Sequence, residues 1–258
     1  MNNFKEYLRL TWRENWKTLA GLPVAVFAVC LVYELAQCGK NEAYAQFALY
    51  INPIDTDVFF FIALLALTIY ASLMFGNLNS KEGRLTTLTL PVSAPAMFWR
   101  GIITYVAYPI VAVCVAMLLA DVCRAAIMTM VGWELYAHIT PVRNIFFCYT
   151  GEAWRLGVGL WLALLNCQAF FACGSIFFPR HSYLKTLLLG MGYNAVLLFC
   201  MGFITAMRFE RKFDMYPASW FTQDVLFWTI IGGMAFLTLA LYAISYVRLK
   251  DAEVQNRW

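Results

Sequence analysis

The sequence predicts an all-α polytopic membrane protein with six transmembrane helices, an N-terminal interfacial amphipathic helix and both termini in the cytoplasm. Hydrophobic residues make up 62% of the 258-residue chain and charged residues only 13%, whereas soluble domains carry about 25% charged residues. Several nearly uncharged runs are long enough to cross a bilayer, which takes about 20 apolar residues in a helix. The placement of Lys and Arg then sets the orientation.

The first predicted element is an amphipathic helix over residues 3–17. Tyr7, Thr11 and Trp12 recur at helical spacing on one face, and Arg9 and Arg13 lie on the other. A basic face opposite a Trp-bearing face is typical of a helix that lies in the headgroup plane. This interfacial "elbow" helix is the expected structure, and a soluble N-terminal helix is the alternative.

Six apolar segments are predicted to cross the membrane as helices, because lipid offers no partner to a free backbone group. Together they form a single transmembrane domain over residues 1–258, with spans at about 18–36, 58–76, 101–120, 156–178, 186–207 and 225–247. Pro23 and Pro109 fall inside the first and third spans, and we expect them to kink these helices rather than break them.

Orientation follows from the cations, because cytoplasmic flanks carry an excess of Lys and Arg. With the N-terminus inside, the inner flanks hold most of the 19 Lys and Arg side chains, and the outer flanks hold most of the Asp and Glu. The loop with Arg208, Arg211 and Lys212 fits this pattern least. The expected location is therefore the cytoplasmic (inner) membrane of a cell, with the lipid bilayer as the surrounding partner.

The sequence carries no motif for catalysis, nucleotide binding or metal binding. The patterns GxxxxGK[ST] and HExxH are absent, and His138 and His181 fall on opposite sides of the predicted bundle. We therefore expect no catalytic residue, no metal and no bound cofactor in this chain, no enzyme activity of its own and no nucleic-acid partner.

Two acidic residues, Glu34 and Asp121, lie at the outer ends of predicted spans. Ionisable groups inside a membrane are costly and often functional. Solvation at the interface is the expected state of both carboxyl groups, and pairing with Arg124 or Arg155 is the alternative.

Uncharged polar residues lie deeper in the spans. Asn166 and Gln168 fall in the fourth span, and Tyr193 and Asn194 fall near the middle of the fifth. Such side chains often join membrane helices, so helix packing is the expected role and a substrate pathway is the alternative. Ala112, Ala116 and Ala120 form a ridge of small residues that also favours close helix packing.

The outer segment 121–153 is too short for a separate domain and too apolar for a plain linker. It contains Cys123 and Cys148, both on the predicted oxidising side of the membrane. A disulfide between these two cysteines and a pair of free thiols are both consistent with the sequence. The role of this segment is open.

The loop between the second and third spans has the most distinctive sequence in the chain. Residues 81–93 are Lys-Glu-Gly-Arg-Leu-Thr-Thr-Leu-Thr-Leu-Pro-Val-Ser, and an aromatic residue, a basic residue and the third span follow. This pattern resembles the inner loop of the ABC transporter type-2 permeases, the membrane-spanning subunits of ABC exporters. The plan of an elbow helix, six spans and no ATPase domain is similar to that family as well.

The resemblance implies that residues 79–95 form a cytoplasmic coupling loop, whose short helix docks into a groove on a separate ABC ATPase subunit that binds ATP. Leu85 and Leu88 would supply apolar contacts, while Pro91 would end the helix and Ser93 would cap the next one. The residues expected to take part in coupling are Glu82, Arg84, Leu85, Leu88, Leu90, Pro91 and Ser93. An ordinary surface loop is the alternative.

The resemblance further implies ATP-driven export of an amphipathic substrate (lipid, peptide or drug) by a complex with a second permease copy or a homologue. Two other functions fit the sequence: an ATP-independent carrier or channel, and a non-transporting membrane scaffold or immunity protein. The sequence does not decide the identity of the substrate, the direction of transport (export or import), or whether the permease is a homodimer or a heterodimer.

Overall fold

The structure is a computed structural model, and it describes residues 2–40, 56–76, 93–133, 139, 154–178, 181–192 and 223–255. These residues are almost all helical, and they contain no strand. The helices are α1 (Asn2–Lys40), α2 (Thr56–Leu73), α3 (Ala94–Val131), α4 (Trp154–Phe177), α5 (182–192) and α6 (Gln223–Gln255).

Four of these helices are long and apolar enough to cross a membrane, which suggests a membrane-embedded protein. Their apolar parts are Phe4–Cys38, Ala94–Val131, Gly157–Phe177 and Ile231–Asp251, and α2 adds the shorter apolar stretch Val58–Leu73. The predicted span 186–207 is described only as far as residue 192, and the predicted loop 79–95 only from residue 93. Six spans and the side of each terminus remain predictions.

Helix α1 runs without interruption through both the predicted interfacial helix and the first predicted span. The two faces predicted for residues 3–17 are present, because Arg9 and Arg13 are exposed while Tyr7 and Thr11 are buried. The buried face packs on the start of α3. The N-terminal part of α1 therefore has a protein partner for the side that was expected to face lipid.

Helix α3 extends past both ends of the span predicted at 101–120. It starts at Ala94 and reaches Val131, where Gly132 adopts a left-handed φ of 83° and ends the helix. A π turn at Ile103–Ala107 interrupts its α-helical hydrogen bonding without ending the helix. With 38 residues, α3 is about 57 Å long at 1.5 Å per residue.

The most extensive helix contacts join α1 to α3, α2 to α4 and α4 to α6. Ala116 and Ala120, two of the three residues of the predicted small-residue ridge, are buried in a cluster that α1, α2 and α3 share. At another close approach, Gly174 of α4 faces Thr186 of α5. Small residues thus bring these helices together, as is common in membrane bundles.

Candidate functional site

Of the residues expected to take part in coupling, the structure describes only Ser93. Glu82, Arg84, Leu85, Leu88, Leu90 and Pro91 lie outside the described residues. Ser93 occupies the N-cap position of α3 with extended backbone angles, but its side chain makes no capping hydrogen bond. The helix start is instead held by the Met97 N–H, which donates to the Ser93 carbonyl at 3.1 Å, and by Pro95 in its first turn.

Two turns into α3, Arg100 is tied to the N-terminal part of α1. Its Nη1 donates to Thr11 Oγ1 at 3.2 Å, and its guanidinium lies 4.5 Å from the centre of the Tyr7 ring. The Thr11 hydroxyl in turn donates to the Tyr7 carbonyl at 3.0 Å. Arg100 is only 8% exposed. We call this group, Tyr7, Thr11 and Arg100, the inner contact, after the side of the membrane on which the sequence predicts it.

The sequence placed Arg100 among the cations of an inner flank, and it gave no sign that this side chain is buried. The signal that could have found the contact is the pairing of an aromatic ring with a hydroxyl one helical turn later, at Tyr7 and Thr11. An arginine stacked on an aromatic ring gains a cation–π attraction, which is larger when the pair is desolvated.

Pro23 lies within α1 and leaves the carbonyl of Leu19 without its usual donor, because proline has no N–H. Tyr70 of α2 donates its hydroxyl to this carbonyl at 2.8 Å, and Tyr108 of α3 donates at 3.1 Å. The Tyr108 ring also packs edge-on against Trp12 at a centroid distance of 4.6 Å. Side chains from two other helices therefore satisfy the carbonyl that the proline frees, and the helix continues.

Pro109 follows the π turn of α3 and likewise has no N–H to donate to a carbonyl of that turn. Gln168 of α4 donates Nε2 to the carbonyls of Tyr105 and Val106, both at 3.4 Å. Gln168 is fully buried. The geometry supports the helix-packing role of Gln168, since its amide joins α4 to the irregular turn of α3.

Asn166 joins α4 to α6 in a similar manner. Its Nδ2 donates to the Met234 carbonyl at 3.3 Å and to Thr238 Oγ1 at 3.2 Å. Asn166 and Gln168 of the fourth span thus each donate hydrogen bonds to another helix. Tyr193 and Asn194 lie outside the described residues.

Near the other end of α1 and α3, three ionisable side chains meet in the interior. Glu34, Asp121 and Arg124 are each 0% exposed. Arg124 donates to Asp121 Oδ1 from Nη2 at 2.6 Å and from Nε at 3.1 Å, while its Nε lies 3.4 Å from Glu34 Oε2. The expected interfacial solvation of the two carboxyl groups is therefore wrong, and the alternative of pairing with Arg124 is correct. The side chain of Arg155 lies outside the described part.

The physical reason is the length of the two helices. Helix α3 continues to Val131, well past the predicted end of its span at residue 120, and α1 continues to Lys40, about one turn past residue 36. Glu34 and Asp121 therefore lie between packed helices instead of at a helix end. Burial of a charge is costly unless it is paired. Arg124 donates two hydrogen bonds to Asp121 and lies beside Glu34 at 3.4 Å. We call these three side chains the outer triad.

No group of three or more metal-ligating side chains occurs among the residues that the structure describes. Cys123 lies in α3, and Cys148 lies outside the described residues, so the disulfide and the free-thiol alternatives both stay open.

Comparisons with protein-family models, with curated protein sequences and with solved structures gave no match to this chain. The resemblance to ABC transporter type-2 permeases rests on the sequence of residues 81–93 and on the predicted plan of the spans.

Proposed function

We propose that this chain is the membrane-spanning permease subunit of an ATP-driven ABC exporter. It moves an amphipathic substrate (lipid, peptide or drug) across the cytoplasmic membrane, together with a separate ABC ATPase subunit and a second permease copy or homologue. The ATPase docks on loop 79–95, and ATP stays on the partner subunit.

The observation that carries the proposal is the junction between this loop and α3. Helix α3 begins at Ala94, within the last two residues of the predicted loop 79–95. Two turns later the inner contact ties Arg100 to Tyr7 and Thr11 of α1. Because α3 is continuous over 38 residues, a push on the loop moves two long helices together. This arrangement suits a subunit that receives mechanical work from a partner.

The test is a search for an ATPase gene with nucleotide-binding motifs beside the gene for this chain, followed by a co-purification experiment with its product. We expect the ATPase to co-purify with the tagged chain, and Leu85→Glu with Leu88→Glu to abolish co-purification, because two charges replace the apolar contacts of the docking helix. Thr86→Glu with Thr89→Glu is the matched control, since it adds the same charges at the same spacing on another face. The control should keep the ATPase bound.

Equal ATPase binding by both double variants would contradict the docking role of the loop. Transport by the chain alone in liposomes, driven by an ion gradient, would favour an ATP-independent carrier instead. Thr11→Val, which removes the acceptor for Arg100, should leave ATPase binding intact, because the inner contact lies beyond the docking loop and transmits motion without touching the partner.

A further inference from the structure

In the outer triad, one carboxyl group receives no hydrogen bond from the residues that the structure describes. Among those residues, neither Oε1 nor Oε2 of Glu34 has a hydrogen-bond partner, although Glu34 is fully buried. Nε of Arg124 lies 3.4 Å from Oε2. That N–H is directed at Asp121 instead, whose Oδ1 accepts from it at 3.1 Å.

Asp121 therefore holds the edge of the guanidinium that Glu34 would need. A buried ionised carboxylate is stable only if donors satisfy its oxygens. The protonated acid is uncharged, so it avoids that cost. Two carboxyl groups that share one site are commonly found with one of them protonated, because the second negative charge is disfavoured.

We propose that Glu34 is a proton-binding site: its carboxyl group carries a proton while α1 and α3 are packed, and it releases that proton when they separate at this end. On release the O–H bond of Glu34 breaks and the proton passes to water, so no other reactant is needed. A conformational change that opens this contact is thereby coupled to the uptake or release of one proton. This site does not depend on the ATPase proposed above.

The surroundings of Glu34 in the described part of the chain are consistent with this role. Asp121 and Arg124 face it from α3, and Cys30 and Cys38 face it from one turn before and one turn after on α1. Both cysteines are fully buried. Arg124 is the cation of this group, and Asp121 accepts two of its hydrogen bonds.

The direct test is infrared spectroscopy of the purified 258-residue chain in detergent at neutral pH, where exposed carboxyl groups are ionised. The carbonyl stretch of a protonated carboxylic acid should be present in the wild type. Glu34→Gln, which mimics the protonated acid in shape and charge, should lose that component. Glu14→Gln is the matched control, because Glu14 is exposed on the same helix, and it should leave the band unchanged.

A second variant tests the competition for Arg124. Asp121→Asn removes the negative charge that competes with Glu34 for Arg124, so Glu34 should ionise beside the guanidinium and the same component should disappear although Glu34 is still present. Circular dichroism and gel filtration check that each variant is folded. An identical band in wild type and Glu34→Gln would overturn the proposal. A band that persists in a folded Asp121→Asn variant would show that competition with Asp121 for Arg124 is not the reason that Glu34 keeps its proton.

The pH dependence of stability gives an independent readout. The proposal has a proton on Glu34 in the packed state that the unfolded state gives up to water, so the stability of the packed state should fall as the pH rises from about 5 to about 7. The melting temperature of the wild type should fall relative to that of Glu34→Gln over this range. Parallel pH profiles for the two proteins would contradict proton binding at Glu34.

Discussion

The carbonyl oxygen of Leu19 shows how single polar atoms hold this bundle together. Pro23 removes the donor that this oxygen would have in a regular helix, and Tyr70 and Tyr108 replace it from two other helices. A hydrogen bond between membrane helices contributes about 0.6 kcal/mol on average. A buried carbonyl that loses every donor costs more, about 1–3 kcal/mol.

This difference predicts non-additive effects of the two tyrosines. Tyr70→Phe and Tyr108→Phe should each lower the free energy of unfolding by about 0.6 kcal/mol, because the other hydroxyl still satisfies the carbonyl. The double variant should lose more than the sum, since the oxygen is then unpaired. Equilibrium unfolding in detergent micelles measures the free energy of unfolding of the two single variants and the double variant.

The control for this cycle is Tyr246→Phe, because Tyr246 packs against Phe98 through its ring, at a centroid distance of 5.4 Å. Its substitution should change stability little and should add simply to either tyrosine variant. Simple additivity of Tyr70→Phe and Tyr108→Phe would show that the two hydroxyls do not share one acceptor.

At the scale of elements, α4 contacts four other helices in the described part of the chain. It packs against α2 and α6, its Gln168 reaches the π turn of α3, and its Gly174 lies against Thr186 of α5. A Cβ atom at Gly174 would contact the Thr186 hydroxyl and lie 2.6 Å from Thr186 Cγ2 and 2.8 Å from Thr186 Cβ. Contacts this short force the two helices apart.

Gly174→Ala should therefore destabilise the bundle by about 1–3 kcal/mol, the usual cost of overpacking. The double variant Gly174→Ala with Thr186→Gly should recover part of this loss, because it removes the atoms that the new methyl group would meet. The melting temperatures of the single and the double variant in detergent measure the loss and the recovery.

Gly159→Ala is the matched control on the same helix, since no atom lies within 4 Å of a Cβ atom at Gly159. It should be neutral or stabilising by about 0.5–1 kcal/mol, because alanine is the better helix former. Equal effects of the two glycine substitutions would mean that α4 and α5 do not approach closely at Gly174.

At the scale of the whole molecule, α1 and α3 form a parallel pair that is joined by polar contacts near both ends. The inner contact links Thr11 to Arg100, and the outer triad links Glu34 to Arg124. Residues 11 and 34 of α1 are about 35 Å apart along the helix at 1.5 Å per residue, close to the hydrocarbon thickness of about 30 Å. The two polar contacts thus bracket an apolar layer of membrane thickness.

The parallel pair predicts that the two ends of α3 lie on opposite sides of the membrane. A fluorescent protein that matures only in the cytoplasm should fluoresce when it is fused after Ser93 and stay dark when it is fused after Gly132. Alkaline phosphatase, which is active only outside, should give the opposite result. The excess of Lys and Arg in the flanks predicted to lie inside predicts this direction.

The reverse pattern in these fusions would mean that the N-terminus lies outside and that loop 79–95 cannot meet a cytoplasmic ATPase. If both fusion points proved to lie on the same side, α3 would not cross the membrane.

The sequence alone determined the helical class, most of the apolar segments and the two faces of the N-terminal helix, because composition and helical periodicity are local properties of the chain. It also determined the distinctive loop at residues 81–93, from which the functional expectation comes. Pro23 and Pro109 were visible as irregular points inside spans. The roles of Asn166 and Gln168 were narrowed to two alternatives.

Only the tertiary structure decided which side chains meet. Arg100 looked like one more cation in an inner flank, and it is buried on Tyr7; Glu34 looked solvated, and it lies in the interior beside Arg124. Whether a charge is solvated or buried depends on a neighbouring helix that is about 90 residues away in sequence. The pattern of residues within one segment does not show which distant segment packs against it. The packing of α1 on α3 therefore determines both polar contacts.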